Sequence, residues 1–380
     1  MKILFVTHNN NEKSGANRSI ISLIERFNKD YEVVVLVNKT EGNLPDVLEK
    51  LGIQVVRMRY WWSCVPTRSS VARNVAVISR GYLRLLQNEV AVRKLVKLIK
   101  DENIGVVYTN TSTITFSSRA AQKANVAHVW HLREFGDKDF NFRRLLPRSS
   151  FVNRLNYGKL IAVSNSISDY YKGISSSCDI ETVYNGLDIS LFKNKFIPRV
   201  DNSLNLLIVG QLSKNKGQDQ AIKGVKLFNE KYSPNYKASL FIAGRGDQYF
   251  LQSEMKKAGS PYYIHYLGQV ENLAEVRANM HAALVCSSSE AFGRVTLESM
   301  LSGLPVIGTD TAGTGELIIN GMNGLLYKNK DENDLALKIH MLLDDSLRKR
   351  LSDAAFLYAS NFSISHTYDD ISTIIINLDK

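Results

Sequence analysis

Residues 283–309 read A-L-V-C-S-S-S-E-A-F-G-R-V-T-L-E-S-M-L-S-G-L-P-V-I-G-T. An apolar run ends at Cys286, a helix-like stretch begins at Arg294, and a second apolar run follows the Gly-Leu-Pro turn. Strand, helix and strand in this order predict a βαβ unit of a parallel sheet. Glu290 comes just after the first strand and Glu298 about one turn into the helix. Both acids are therefore expected near the carboxyl end of a strand, where open α/β sheets bind ligands.

The same alternation of strand-like and helix-like stretches runs along the whole chain. Strands are predicted at 2–6, 32–37, 54–58, 105–108, 127–130, 160–163, 181–183, 205–209, 238–243, 262–267, 283–286, 305–308 and 325–327. Helices are predicted at 18–27, 71–100, 218–228, 249–257, 273–281, 294–302, 332–343, 347–359 and 365–378, among others. This alternation indicates an α/β fold with parallel sheets.

Two doubly wound domains in series fit this pattern and the length of 380 residues. The predicted parts are an N-terminal domain, a linker, a C-terminal ligand-binding domain and a last helix that packs back on the N-terminal domain. Their expected bounds are 1–188, 189–204, 205–361 and 362–380.

Cysteine usage and hydropathy limit the classes of protein. The three cysteines, Cys64, Cys178 and Cys286, lie far apart and form no C-x-x-C pair. This pattern argues against a disulfide framework and fits a reducing compartment. No run of 18 consecutive apolar residues occurs, so no membrane-spanning helix is predicted. We expect a cytoplasmic protein.

Positive charge is concentrated in one part of the chain. The net charge is +11, and residues 57–159 alone carry 19 basic and 6 acidic residues. That region favours an anionic partner such as a membrane surface, a nucleic acid or a polyphosphate, or else it is simply a solvated basic surface. No nucleic-acid recognition motif accompanies the charge, so nucleic acid is not expected as a partner.

Two stretches of the C-terminal half can bind a phosphate. L-S-K-N-K-G at 212–217 places Lys216 just before a predicted helix, although Lys-Gly is also common in turns that bind nothing. At Phe292-Gly293 the next helix begins, and its unpaired N–H groups suit an anion. Glu298 would then reach past the phosphate to vicinal ribose hydroxyls, and Glu290 would face the other end of the ligand. Such a ligand is a nucleotide-sugar. For two isolated acids, a surface acid and a helix cap would be the favoured interpretation.

The ordered set of motifs resembles glycosyltransferase family 4, the retaining "glycosyl transferases group 1". Glu290 and Glu298 have its E-x7-E spacing. Further matching stretches are V-G-Q-L-S-K-N-K-G (209–217), A-G-R-G-D (243–247), Y-L-G-Q-V (266–270), A-G-T-G-E-L-I-I-N-G-M-N-G-L-L-Y (312–327), S-G-A (14–16), W-H-L-R-E (130–134), A-V-S-N-S (162–166) and V-Y-N-G-L-D (183–188). The resemblance implies the GT-B fold, in which two Rossmann-like domains face each other across a cleft. It also implies a metal-independent enzyme without a cofactor that uses a nucleotide-diphosphate-sugar, with a UDP-sugar favoured and a GDP-sugar possible.

The resemblance also assigns residues. Glu290, Lys216 and His131 would be catalytic, with Lys216 neutralising the leaving diphosphate and His131 touching the sugar. The implied donor-binding residues are Glu298, Thr296, Val295, Gly293, Phe292, Gly15, Gln211, Arg294 and Val270. Two positions depart from the family pattern. Gln211 stands where an arginine is usual, so Lys216, Arg245 or Arg294 would carry more of the diphosphate charge. Ser14 replaces a glycine of the first loop.

Other classes remain possible from the residues alone. An epimerase or hydrolase of the same fold would need extra acid–base groups, and a non-catalytic nucleotide-sugar binding protein is a further alternative. A dehydrogenase would have G-x-G-x-x-G after the first strand, where this chain reads T-H-N-N-N-E. Asp137-Lys-Asp139 matches a metal-binding D-x-D by letter only. His128 and His131 face opposite sides of a strand, so no zinc site is expected.

The basic region contains two stretches suited to a lipid headgroup boundary. These are R-M-R-Y-W-W (57–62) and F-N-F-R-R-L-L-P-R (140–148). Aromatic rings and leucines can insert while arginines bind phosphates. Trp61, Trp62, Arg143, Arg144 and Arg148 are therefore expected on a membrane- and acceptor-facing side. The family often extends lipid-linked glycans, so we expect peripheral binding at the inner face of the cytoplasmic membrane. The acceptor would be a glycan, such as one linked to polyprenyl diphosphate, in cell-surface polysaccharide synthesis.

Overall fold

The computed structural model describes residues 1–67, 70–199, 201–232 and 234–378. The chain divides into two compact units, Met1–Leu187 with Ile364–Lys380, and Asp188–Ser363. Each unit is an α/β fold with a parallel sheet, which confirms the predicted fold class.

Each predicted strand is present, and Cys64–Pro66 and Phe142–Arg144 are two further short strands that the sequence did not predict. The strands are β1 (Lys2–Val6), β2 (Glu32–Asn38), β3 (Gln54–Met58), β4 (Cys64–Pro66), β5 (Val106–Thr109), β6 (Ala127–Leu132), β7 (Phe142–Arg144), β8 (Lys159–Ala162), β9 (Ile180–Thr182), β10 (Ser203–Val209), β11 (Lys237–Ala243), β12 (Ile264–Gly268), β13 (Ala282–Val285), β14 (Val306–Thr309) and β15 (Leu325–Tyr327). The helices are α1 (Gly15–Asp30), α2 (Leu44–Lys50), α3 (Val71–Asp101), α4 (Phe116–Ala124), α5 (Asp137–Phe140), α6 (Arg148–Leu155), α7 (Asn165–Ile174), α8 (Gln218–Tyr232), α9 (Gln248–Lys257), α10 (Leu273–Arg277), α11 (Arg294–Leu301), α12 (Ala312–Leu317), α13 (Glu332–Met341), α14 (Asp345–Ala359) and α15 (Ile364–Leu378).

The sheet of the first unit has the order β3-β2-β1-β5-β6-β8-β9, and all of these pairs are parallel. A parallel sheet covered on both faces needs strands that are apolar throughout. In β1, Ile3 and Phe5 join the core on one face, whereas Leu4 and Val6 join the core on the other. β4 and β7 form a separate antiparallel pair.

The last helix, α15, belongs to the first unit. Tyr368, Ile371 and Ile375 are part of the same core as the α1 residues Ile24 and Phe27. The Tyr31 and Ser372 hydroxyls lie 3.1 Å apart. A helix that follows the second unit in sequence thus completes the core of the first.

The second unit has a parallel sheet of order β12-β11-β10-β13-β14-β15. The segment before β10, expected to be a linker, packs on this unit. Arg348 Nη1 donates to the Ile197 carbonyl at 2.7 Å, and Arg199 Nε donates to Asp345 at 3.0 Å. Among the described residues, no helix combines the length and the apolar character needed to cross a bilayer.

Candidate functional site

A glycine brings a lysine and a glutamate together at the carboxyl ends of β10 and β13. Gly217 has φ +71°, and a Cβ there would lie 2.0 Å from the Cys286 carbonyl oxygen. Only glycine fits, because both the backbone conformation and the contact exclude a side chain. The loop therefore packs against the end of β13, and Lys216 Nζ lies 2.6 Å from Glu290 Oε2.

This ion pair is accessible to solvent. The side chains of Lys216 and Glu290 are 37% and 22% exposed. Exposed pairs contribute little to stability, so another anion can compete with the carboxylate for the ammonium. The neighbouring Gln211 is exposed, and its carbonyl accepts a hydrogen bond from Gln218 Nε2 at 3.0 Å.

The N-terminus of α11 lies beside the same segment. Gly293 precedes the helix with φ +102°. The Thr296 N–H donates to the Gly293 carbonyl at 2.9 Å, so this amide is already used within the first turn. The Thr296 hydroxyl is buried and finds no hydrogen-bond partner within the described part of the chain. Together with first-turn amides such as that of Val295, it can bind an anion. The Phe292 side chain is buried in the second unit.

Glu298 is held by two arginines. Its Oε2 accepts from Arg277 Nη2 at 2.7 Å, and its Oε1 accepts from Arg294 Nε at 2.9 Å. The Glu298 and Arg277 side chains are only 7% and 5% exposed, so the arginines hold in place a carboxylate that is almost completely buried. A carboxylate offers about four acceptor positions, which suits a ligand that presents hydroxyls. Arg294, predicted for the diphosphate, binds Glu298 through its Nε. Arg277 was not predicted, since no local sequence motif marks it.

The glycines of A-G-R-G-D pack against the neighbouring loop. A Cβ at Gly244 would lie 1.9 Å from the Gly210 carbonyl oxygen, and one at Gly246 would lie 2.4 Å from that of Leu212. Close contact between adjacent βα loops accounts for both glycines without a ligand. Val270, predicted near the base, is half-buried shortly after β12.

In the first unit, His131 lies in β6 and is fully buried. The Tyr108 hydroxyl lies 2.5 Å and Arg133 Nη2 3.1 Å from His131 Nδ1. A guanidinium can only donate, so Nδ1 is the acceptor and the ring proton is on Nε2. Nε2 has no hydrogen-bond partner among the residues that the structure describes. Burial, and secondarily the Arg133 charge, hold the pKa of His131 well below its usual range. The imidazole is therefore neutral and offers one N–H.

The first loop also has a defined geometry. Ser14, which replaces a glycine of the family pattern, caps α1 by accepting from the Asn17 N–H at 3.3 Å. Gly15 is the first residue of the helix, and a Cβ there would meet no atom within 4 Å among the described residues. Gly15 is thus not required by packing.

The D-x-D acids have local roles. Asp139 accepts from the Phe135 N–H at 3.0 Å and the Gly136 N–H at 2.7 Å, and Asp137 accepts from the Tyr170 hydroxyl at 2.7 Å. Burial, and then the Glu134 charge, raise the pKa of Asp139 to about 6. No group of three His, Cys, Asp or Glu side chains that could hold a metal occurs within the described ranges.

The residues expected to face a membrane are largely engaged within the unit. Trp62 Nε1 donates to the His8 carbonyl at 2.7 Å, and the Arg84 guanidinium stacks over Trp61. Arg144 stacks on Phe151 and donates to the Tyr171 hydroxyl at 3.2 Å. The Arg148 guanidinium binds the carbonyl oxygens of residues 173 and 174, whereas Arg143 is exposed. The membrane role of these residues stays a prediction.

Two family models match adjoining parts of the chain, which together span residues 13–357. The model described as "Glycosyltransferase Family 4" matches residues 13–191, and the model described as "Glycosyl transferases group 1" matches residues 192–357. An uncharacterised glycosyltransferase of Methanocaldococcus jannaschii is 30% identical over 212 residues, which are 55% of this chain and 56% of the relative. An α-1,4-N-acetyl-D-galactosaminyltransferase of Campylobacter jejuni that acts on an undecaprenol-diphosphate-linked glycan is 27% identical over 51% of this chain and 58% of the relative. The chain spans about half the length of the curated relatives it matches.

Solved structures agree with the observed architecture. Anabaena HepE in complex with UDP-glucose superposes with a TM-score of 0.76 and 21% identity, covering 99% of this chain and 100% of HepE. A likeness at this level of identity shows the fold. With the two adjoining family matches, it shows that the chain belongs to the group 1 glycosyltransferases of the GT-B fold.

Proposed function

We propose that this protein transfers a sugar from a nucleotide-diphosphate-sugar to a hydroxyl of a glycan acceptor. The proposal rests on the solvent-accessible Lys216–Glu290 pair beside the N-terminus of α11. The buried Glu298 lies about one turn further along the same helix. A cation, a helix N-terminus and an oriented carboxylate suit a diphosphate flanked by two sets of hydroxyls.

Each part of the donor has a proposed partner. Lys216, the Thr296 hydroxyl and the Val295 amide bind the diphosphate, and Glu298 accepts hydrogen bonds from the ribose hydroxyls. Glu290 and the backbone at Phe292 and Gly293 bind hydroxyls of the donor sugar.

Three further contacts are proposed. Gly15 lies at the phosphates, His131 at the sugar and Val270 at the base. Lys216 supplies the positive charge that Gln211 lacks. UDP is the favoured nucleotide, and GDP is the second candidate.

The proposed reaction retains the configuration of the anomeric carbon and needs no metal ion. The bond from the anomeric carbon to the diphosphate breaks, and the diphosphate leaves with the electron pair. The acceptor oxygen bonds to the anomeric carbon on the same face, and its proton passes to an oxygen of the departing diphosphate. The Lys216 ammonium and the α11 N-terminus stabilise the negative charge that grows on the leaving group.

The acceptor and the location follow from the relatives and from the charge of the first unit. The Campylobacter jejuni relative acts on an undecaprenol-diphosphate-linked glycan. Residues 57–159 carry an excess of 13 positive charges. The proposed acceptor is a polyprenyl-diphosphate-linked glycan in cell-surface polysaccharide synthesis. The proposed location is the inner face of the cytoplasmic membrane, bound through anionic lipids.

A screen of nucleotide-sugars tests the proposal. The purified protein is incubated with a panel of UDP- and GDP-sugars in the presence of EDTA, and nucleotide release is measured with and without glycan acceptors. We expect release from one or a few donors, acceleration by acceptor and loss of both in Lys216→Ala. A protein that binds none of the nucleotides would refute the proposal.

A further inference from the structure

One face of the long helix α3 is apolar and uncovered. Its buried residues are Gly81, Asn88, Ala91, Val92, Leu95 and Ile99. On the opposite side, positions spaced 4-4-3-4-4 form one row on a helix of about 3.6 residues per turn. This row, with Leu83 beside it, is called the α3 stripe: Val71, Val75, Ser79, Tyr82, Leu83, Leu86 and Val90. Its apolar members are 51–79% exposed.

The α3 stripe is long and carries no charge. From residue 71 to residue 90 it extends about 28 Å at about 1.5 Å per residue. Soluble proteins rarely leave a continuous apolar patch of this size in water unless it binds something. The residues 71–80 include none that is buried, so the N-terminal part of the helix contributes little to the core of the first unit.

Cations surround and extend the stripe. The same spacing continues through Arg93, Lys97 and Lys100. The helix carries seven basic residues and two acids, Glu89 and Asp101, which pair with Arg119 and Lys97. The partner must therefore offer an apolar phase and a negatively charged boundary side by side.

We propose that α3 lies in the plane of an anionic lipid leaflet, with the α3 stripe in the acyl boundary and Arg93 and Lys94 on the headgroup phosphates. A nucleic acid would use the cations and leave the stripe in water. A second copy of the chain would bring the same positive charge against this face. The inference extends the membrane association of the proposed function and rests on it only for the choice of a lipid partner.

Binding can be measured at the stripe itself. Cys64, Cys178 and Cys286 are all buried, so a Leu86→Cys variant can be labelled selectively with an environment-sensitive fluorophore. We expect its emission to shift to the blue with vesicles of phosphatidylglycerol and phosphatidylcholine at low salt, and to stay unchanged with phosphatidylcholine alone. High salt should reverse the shift. The same label on Tyr262→Cys, an exposed position of the second unit, should not respond.

Double variants distinguish the contribution of the apolar stripe from that of the cations to vesicle binding. Leu83→Ser with Leu86→Ser should lower the vesicle partition coefficient by tenfold or more, as about two apolar side chains leave the lipid. Arg93→Gln with Lys94→Gln should lower it about fivefold for each cation removed. Tyr262→Ser with Leu357→Ser removes comparable exposed apolar surface from the second unit and should have no effect. All of these positions are exposed, so the thermal midpoint should not change.

The inference fails if the wild-type chain ignores anionic vesicles at low salt, or if the stripe variant binds them as the wild type does. A dimer that the stripe variant dissociates, without vesicle binding, would assign the stripe to a second copy and also overturn it. Nucleotide release is measured without vesicles, so the proposed function and this inference can fail separately.

Discussion

The Lys216 ammonium and the Glu290 carboxylate lie 2.6 Å apart at the ends of two adjacent strands. Both groups are proposed to bind one donor, the lysine at its diphosphate and the glutamate at its sugar. The ion pair therefore competes with the phosphate for the ammonium. Substitutions of Lys216 and Glu290 should therefore change the affinity for the nucleotide in different directions.

Lys216→Ala and Glu290→Gln should have opposite effects on nucleotide affinity. Lys216→Ala removes a charged contact worth roughly 1.5–3 kcal/mol, so the affinity for the nucleoside diphosphate should fall about ten- to a hundredfold and turnover should fall at least as much. Glu290→Gln frees the ammonium, so nucleotide affinity should stay equal or rise while turnover falls. Calorimetric titration and single-turnover kinetics measure both. Lys214→Ala, in the same loop, is the matched control and should be neutral. Weaker nucleotide binding in Glu290→Gln would contradict the assignment.

Glu298 should discriminate between a nucleotide and a bare diphosphate. In Glu298→Gln the ribose loses an ionised acceptor, so UDP affinity should fall about ten- to a hundredfold, whereas pyrophosphate affinity should not change. Competition against a fluorescent nucleotide measures both ligands. Glu275→Gln changes a nearby exposed acid and serves as the control.

Arg277→Met tests what holds Glu298 in place. The pair is buried on both sides, so removing one partner should lower the free energy of unfolding by about 3–5 kcal/mol. UDP affinity, corrected for the folded fraction, should also fall, because the carboxylate would lose one of the two arginines that orient it. A stable Arg277→Met variant with unchanged UDP affinity would show that Glu298 is oriented by other groups.

His131 should be a neutral imidazole that carries its proton on Nε2. Nitrogen-15 chemical shifts of the ring should show this tautomer at pH 7, and it should persist well below pH 6.5, since burial and Arg133 both lower the pKa. Arg133→Gln removes the positive charge, so the pKa should rise and the acid limb of the rate profile should move to higher pH. His128→Gln, a buried histidine on the opposite face of β6, should leave that limb in place. A proton on Nδ1 in the wild type would refute the assigned geometry.

Long, strongly periodic elements could be predicted from the sequence, and short ones could not. The 71–100 helix and the central strands of both sheets were expected and observed, because burial on one or both faces imposes a regular apolar pattern. β4 and β7 were missed, since three residues each are too few to show a period. The D-x-D acids illustrate the same limit at the level of a motif, as a two-residue pattern does not reveal that Asp139 caps a turn.

Only part of the candidate site could be located from the local sequence. The Lys-Gly before a helix marked the 212–217 loop, but the contact with the Cys286 carbonyl that requires glycine at Gly217 exists only in the folded chain. Arg277 and Tyr108 act on Glu298 and His131 through contacts that only the folded chain creates, and nothing adjacent in sequence marks them. The sequence also did not predict that one face of α3 is exposed, because the residues of that face are as apolar as those of a buried helix.

Gly15→Ala separates a structural from a ligand-binding role for the first residue of α1. Because an added Cβ meets no atom within 4 Å among the described residues, the substitution should leave stability unchanged or raise it by about 0.4–1 kcal/mol. A phosphate that approaches this backbone closely would collide with the methyl group, so donor affinity should fall at least tenfold. Gly173→Ala, which also meets no atom within 4 Å, is the matched control and should bind the donor normally. Thermal unfolding and donor titration on the same samples decide the question: a Gly15→Ala variant that is stable and binds the donor like the wild type would remove Gly15 from the phosphate site.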